Sequence, residues 1–128
     1  MEEIIYKELS YTINGILFQV QNDLGRYCNE KQVCDKIEFY LKEKNIQYRR
    51  ECVLPPSFDG EKIGRNRVDF LIDEKIILEI KSKRFLVKDD YFQTQRYLHA
   101  LDKKLGILVN FRDERIKPRR VLNSLANS

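Results

Sequence analysis

The sequence predicts an α/β fold in which helices flank a mixed β-sheet, with elements in the order α-α-β-β-β-α-β. Three observations predict it. The segment from Arg67 to Lys81, RVDFLIDEKIILEIK, alternates as two short strands around a tight turn at Asp73-Glu74-Lys75. Gly106 to Phe111, GILVNF, is a near-continuous apolar run, the pattern of a strand buried on both faces and central or parallel in its sheet. Around these lie three segments whose apolar residues recur at helical spacing.

The first helix is expected over about Ile4 to Leu24, with Ile13, Ile16, Leu17, Val20 and Leu24 on one stripe. Gly25 ends it. Gly15 falls mid-helix at some cost in propensity, which suggests close packing against another element. The second helix begins at Asn29, a good N-cap, and runs to about Lys44 with Val33, Cys34, Ile37 and Leu41 inward. Glu30 shares that stripe, preceding Cys34 by one turn. The helix dipole favours an acid in the first turn but does not explain its inward direction.

An extended stretch follows from about Ile46 to Leu54, then Pro55-Pro56 and a polar loop containing Gly60 and Gly64. After the hairpin and a basic loop, Asp89-Asp90 are expected to cap a third helix reaching about Leu101, with Tyr91, Thr94, Leu98 and Leu101 on its stripe. The apolar strand comes next, and the segment Arg119 to Leu122 suggests a short edge strand.

In the hairpin, alternation points Val68, Phe70 and Ile72 one way and Arg67, Asp69 and Leu71 the other. On the second strand Ile76, Leu78 and Ile80 oppose Ile77, Glu79 and Lys81. Matching the apolar faces leaves two registers. One sets Asp69 opposite Glu79, with Cβ atoms roughly 5 Å apart, and the other makes them diagonal neighbours at roughly 7 Å. Either way two carboxylates and a lysine converge. Like charges so close destabilise a sheet, and a divalent cation held by one or two carboxylates and waters would offset them.

At 128 residues the chain fits one domain, 1–128. Its 42% hydrophobic and 34% charged residues suit a soluble globular protein. No apolar run approaches membrane-spanning length, and MEEIIYKELS is unlike a secretion signal, so a cytoplasmic protein with no membrane partner is expected. Cys28, Cys34 and Cys52 lack the paired spacing of zinc sites, and Cys34 is expected as a buried thiol. The net charge of +4 is modest, but basic residues cluster after the second hairpin strand and between Arg112 and Arg120, compatible with a polyanionic partner. The lone histidine, His99, reads as a surface residue, which argues against a nucleophile triad. No phosphate-binding glycine loop is present. Tyr6, Tyr11, Phe39, Tyr40 and Tyr97 read as core or helix-boundary aromatics.

Asp69, then Glu79-Ile80-Lys81, then a helix carrying Gln93 and Tyr97, in this element order, resembles the PD-(D/E)XK nuclease superfamily. Within it the chain is similar to the small bacterial and archaeal family named for its GxxExxY motif. Gly15, Val20, Leu24-Gly25, Glu30, the hairpin strands, Gln93, Tyr97-Leu98 and GILVNF carry the likeness. Tyr27 and Val33 stand at the motif's glycine and tyrosine positions, Gln21 at a frequent histidine, and Val68 at the proline of the PD motif.

The resemblance implies a restriction-endonuclease-like fold and a magnesium- or manganese-dependent nuclease acting on nucleic acid, DNA ahead of RNA. It implies that Asp69 and Glu79 hold the metal, with the Ile80 carbonyl as a further ligand and Glu30 completing the shell through water. Lys81 would activate water and stabilise phosphate charge, positioned by Gln93. Lys83, Arg84 and Lys88 of the basic loop, with Arg96 on the helix, would grip the backbone. A binding module that does not cut, and a protein-interaction module on the same scaffold, are the alternatives, and a homo-oligomer is compatible with the sequence.

Overall fold

The computed structural model describes residues 4–124. Its elements are α1 (Lys7–Leu24), α2 (Glu30–Glu43), β1 (Tyr48–Val53), β2 (Arg67–Ile72), β3 (Ile76–Lys81), α3 (Lys88–Leu101), β4 (Leu105–Asn110) and β5 (Arg119–Leu122). The strands form one five-stranded sheet in the order β1-β2-β3-β4-β5. Every neighbouring pair is antiparallel except β3 and β4, which run parallel because α3 carries the chain back across the sheet between them. This is the mixed α/β sheet the sequence predicts, with the short fifth strand in place.

Both faces of the sheet are covered. Ile13, Ile16, Leu17 and Val20 of α1, with Val33, Ile37 and Leu41 of α2, pack on Phe70, Ile72, Leu78, Ile80 and Ile107. Tyr97 and Leu98 of α3 pack on Val68, Leu71, Ile77, Leu108 and Val121. Fully burying each such aliphatic or aromatic side chain stabilises the fold by roughly 1.5–3 kcal/mol. β4 is buried along its whole length, as its unbroken apolar run requires.

Helix ends follow local chemistry. α2 has a reciprocal cap: Asn29 Oδ1 accepts the Gln32 N–H at 2.8 Å, and Gln32 Oε1 accepts the Asn29 N–H at 2.9 Å. α1 starts at Lys7, not Ile4, because Tyr6 is left-handed (φ 51°) and cannot continue a right-handed helix. Gly25, at φ 74°, terminates it. α3 begins one residue before the expected Asp89-Asp90 cap. Asp90 instead caps from inside the first turn, its carboxylate accepting the Val87 N–H at 2.8 Å.

Four further expectations are corrected. Gly15 is exposed, with nothing within 4 Å of where its Cβ would stand, so it packs against no neighbour. The close approach is at Gly106, where a Cβ would meet Thr94 Cγ2 at 2.9 Å. Tyr91 is exposed and Tyr97 takes its place on the buried face of α3, while Tyr11 and Phe39 face solvent. Val68 lies on the α3 side, opposite to Phe70 and Ile72.

Candidate active site

The displacement of Val68 has a local cause. β1 and β2 pair at Arg50↔Phe70 and again at Cys52↔Val68, but not at the intervening Glu51 and Asp69. Glu51 is left-handed (φ 53°), which for a residue with a Cβ costs on the order of 1 kcal/mol. The kink reverses the facing of both strands. Arg50 bonds Asp35 and Glu38 of α2, while Cys52 packs on the α3 side. In β2 Phe70 faces α2 and Val68 faces α3. Asp69 sits at the reversal.

On its other edge β2 pairs with β3 only from Phe70↔Leu78 to Ile72↔Ile76. That is the register in which Asp69 is opposite Glu79. Beyond it, side chains replace the backbone ladder: Glu79 Oε1 accepts the Asp69 N–H at 3.0 Å, and Asp69 Oδ2 accepts the Ile80 N–H at 2.7 Å. Each carboxylate satisfies a buried backbone donor that the parting strands leave open.

Electrostatics follow from this crowding. Burial, then the neighbouring Asp69 charge, pushes the Glu79 carboxyl up to about 8. Burial also raises Asp69, against the favourable Ile80 N–H, and the Glu30 charge raises it further. Lys81 Nζ donates to Gln93 Oε1 at 2.8 Å, which fixes the ammonium between β3 and α3. Glu30 has the helical phase read from the sequence but is exposed, not inward-buried. It lines a concavity of about 600 Å³ together with Asp69, Arg50 and Glu51.

The donor set suits a hard cation. No protein hydrogen bond reaches Asp69 Oδ1 or Glu79 Oε2 among the described residues, so each carboxylate keeps one oxygen for another partner. Among the described residues no group of three or more His, Cys, Asp or Glu side chains is placed to hold a metal ion. Asp69 lines the open cavity while its neighbour Glu79 is buried and does not, and magnesium-type ions, which retain several waters, need only one or two such carboxylates.

The remaining basic residues divide by what they touch. Lys83 Nζ is engaged by Asp90 at 2.9 Å, and Arg84, Lys88 and Arg96 are exposed. Lys31, Asp35, Arg50 and Glu51 at the cavity were not singled out from the sequence, and two of them shape the site. Arg50, with its guanidinium carbon 5.8 Å from the Phe70 ring centroid, adds positive charge near Asp69. Its parity with the core-packed Tyr48 was the available signal. Glu51 gave none, because no glycine marks its left-handed backbone.

The PD-(D/E)XK nuclease superfamily model matches residues 7–121. The chain belongs to that superfamily, whose nucleases generally use divalent metals. A crystal structure of a protein called SSO0001 is similar, with a TM-score of 0.57 at 24% identity over 94% of this chain. That likeness concerns the fold. The present chain spans 58% of that protein's length. No curated protein matches the sequence. No described helix is long and apolar enough to cross a membrane.

Proposed function

We propose that this protein is a cytoplasmic nuclease that hydrolyses phosphodiester bonds of DNA or RNA, DNA ahead of RNA, with magnesium or manganese as cofactor. The observation that carries the reading is the Asp69–Glu79 pair. Two carboxylates are held together at a strand opening, each with one oxygen spent on a backbone N–H and one uncommitted. Burial raises both carboxyls, and a divalent cation would take the place of the proton that otherwise relieves their repulsion.

In this reading Asp69 and Glu79 hold the cation, with the Ile80 carbonyl as a further ligand and Glu30 acting through water from the cavity mouth. A hard divalent cation supplies Lewis acidity toward water and toward a phosphoryl oxygen. Lys81, oriented by Gln93, takes up negative charge that develops on the phosphate and orients the attacking water. A place in a variant GxxExxY-like branch rests on the likeness along the rest of the chain, since of that motif only Glu30 remains, with Tyr27 and Val33 at its glycine and tyrosine positions.

Cleavage of labelled single- and double-stranded DNA and RNA with magnesium, manganese or chelator is the test. Cutting that requires metal and is lost in Glu79→Ala supports the reading. Wild-type protein that binds nucleic acid but cuts no substrate with either metal overturns it.

A further inference from the structure

A second concavity, of about 590 Å³, lies between the β3–α3 loop and the segment leading into β5. Phe85 and Leu86 of the β3–α3 loop form one wall, and Arg115, Lys117 and Arg119 line the other. The loop starts at Lys81, so Phe85 stands four residues beyond the lysine of the site. Both walls hang from the ends of the parallel strand pair. The Phe111 N–H donates to the Lys81 carbonyl at 2.8 Å, and buried Asn110 bonds both the N–H and the carbonyl of Lys83. Leu86 packs into the α3-side core and anchors the loop.

The chemistry of this groove differs from that of the rest of the basic carboxyl-terminal segment. Arg120 is consumed by the fold, donating to Ser10 Oγ and the Ile5 carbonyl, and Arg112 stacks on the Tyr27 ring. The side chains of Arg115, Lys117 and Arg119 have no ion pair or hydrogen bond among the described residues. Asp113 and Glu114 also reach the lining, and the Asp113 carboxylate accepts from Asn110 at 3.5 Å. Phe85 is 63% exposed although anchored on both sides, and the Arg84 guanidinium carbon stands 5.7 Å from its ring centroid. Folding gains nothing from exposing a phenyl ring beside cations that make no ion pair even with Asp113 and Glu114 in the same lining, whereas stacking bases and phosphates would use both.

We infer that this groove binds a single-stranded segment of nucleic acid, its phosphates on Arg115, Lys117 and Arg119 and an unpaired base stacked on Phe85. The choice of single strand over duplex rests on Phe85: stacking needs a base with an open face, and a duplex covers that face with its neighbours. The inference rests on the nuclease reading for its substrate class and narrows that class to strands with an unpaired stretch.

The test is fluorescence-anisotropy binding of an oligonucleotide of about twelve nucleotides, as DNA or RNA, single-stranded or paired, in chelator across a salt series. The expected result is tighter binding of the single strand. Phe85→Ala should weaken that binding by roughly tenfold, as loss of one stacked base does, with the salt slope unchanged and duplex binding unaffected. Arg115→Gln/Lys117→Gln/Arg119→Gln should lower the salt slope by about 2, from roughly 0.7 per cation on a single strand. All four residues are surface side chains, and unchanged thermal unfolding confirms folding. Equal loss of single-strand and duplex binding in Phe85→Ala, no loss at all, or an unaltered slope in the triple variant overturns the inference. Metal-dependent cleavage by wild type with unaltered groove variants sinks the groove alone. Groove-dependent binding without cleavage sinks the nuclease reading alone.

Discussion

Asp69 and Glu79 each close the end of the other's strand, Glu79 accepting the Asp69 N–H at 3.0 Å while Asp69 accepts the N–H of Ile80 at 2.7 Å. The pair is therefore both a charge problem and part of the hydrogen-bond framework. Asp69→Asn keeps an acceptor oxygen and removes one charge, so the metal-free variant should be as stable as wild type or more so. Asp69→Ala leaves the Ile80 N–H unpaired, which costs about 1–3 kcal/mol. Urea unfolding in chelator separates the two. An Asn variant as damaged as the Ala variant would mean that the negative charge itself stabilises the fold, through Arg50 or Lys81.

The same pair sets a pH dependence. Glu79 titrates near 8 in the folded protein against an ordinary 4.5, and Asp69 is raised as well. Between those values the folded state retains protons that the unfolded chain has released, so stability falls as pH rises. In metal-free protein the contribution of this pair should fall from about pH 4.5 to about 8 and level off above, while Asp90, whose carboxyl is lowered despite burial by the Val87 N–H and Lys83, loses its contribution at more acid pH. Glu79→Gln should flatten most of that slope. Stabilisation by added magnesium should run the other way and grow toward pH 8, because the cation competes with the proton. Unfolding midpoints measured across the pH series with and without metal check both trends. A metal-free profile that rises with pH contradicts the raised carboxyls.

Element order was legible because each element carries its own period: 3.6 in α1 and α2, two in β3, and an unbroken apolar run in the parallel β4. The Asn29 cap was legible for the same reason, since its partner lies three residues away. What sequence could not show was the reversal at Asp69. Alternation placed Val68 with Phe70, but the left-handed Glu51 in the neighbouring strand turns both strands over at that point. A non-glycine residue at positive φ leaves no mark in composition. The candidate site was nevertheless readable from one strand pair, because β3 keeps strict alternation through Glu79 and Lys81. Gly15 was misjudged and the close approach at Gly106 went unread, since spacing along a helix or strand says nothing of what faces a missing Cβ.

Those two glycines give opposite expectations. Gly15→Ala adds a methyl to open space in a helix interior and should stabilise by about 0.5–1 kcal/mol. Gly106→Ala drives a Cβ to 2.9 Å from Thr94 Cγ2 and should destabilise by about 1–3 kcal/mol. Thr94→Ser removes that methyl while keeping the hydroxyl that donates to the Asp90 carbonyl at 3.1 Å. The double variant should therefore recover much of the loss, a coupling that chemical denaturation of all four proteins measures. Additive losses would show that the tight contact lies elsewhere.

The last expectation separates chemistry from binding at Lys81. Its ammonium is held by Gln93 at 2.8 Å and makes no ion pair among the described residues, so it can meet an incoming phosphate without first releasing a carboxylate. Lys81→Ala should remove most cleavage while magnesium still raises the unfolding temperature, because lysine does not ligate a cation. Glu79→Ala should remove both, since it deletes a ligand oxygen. Gln93→Ala keeps the ammonium but frees it to wander. A hydrogen bond to a charged group contributes about 1.5–3 kcal/mol, so kcat should fall roughly ten- to a hundredfold with metal stabilisation unchanged. Gln93→Glu offers an acceptor at the same place and should retain more activity than Gln93→Ala. Equal activity in wild type and Gln93→Ala would remove Gln93 from the site. A loss of metal stabilisation in Lys81→Ala would show instead that the lysine holds the acidic pair together.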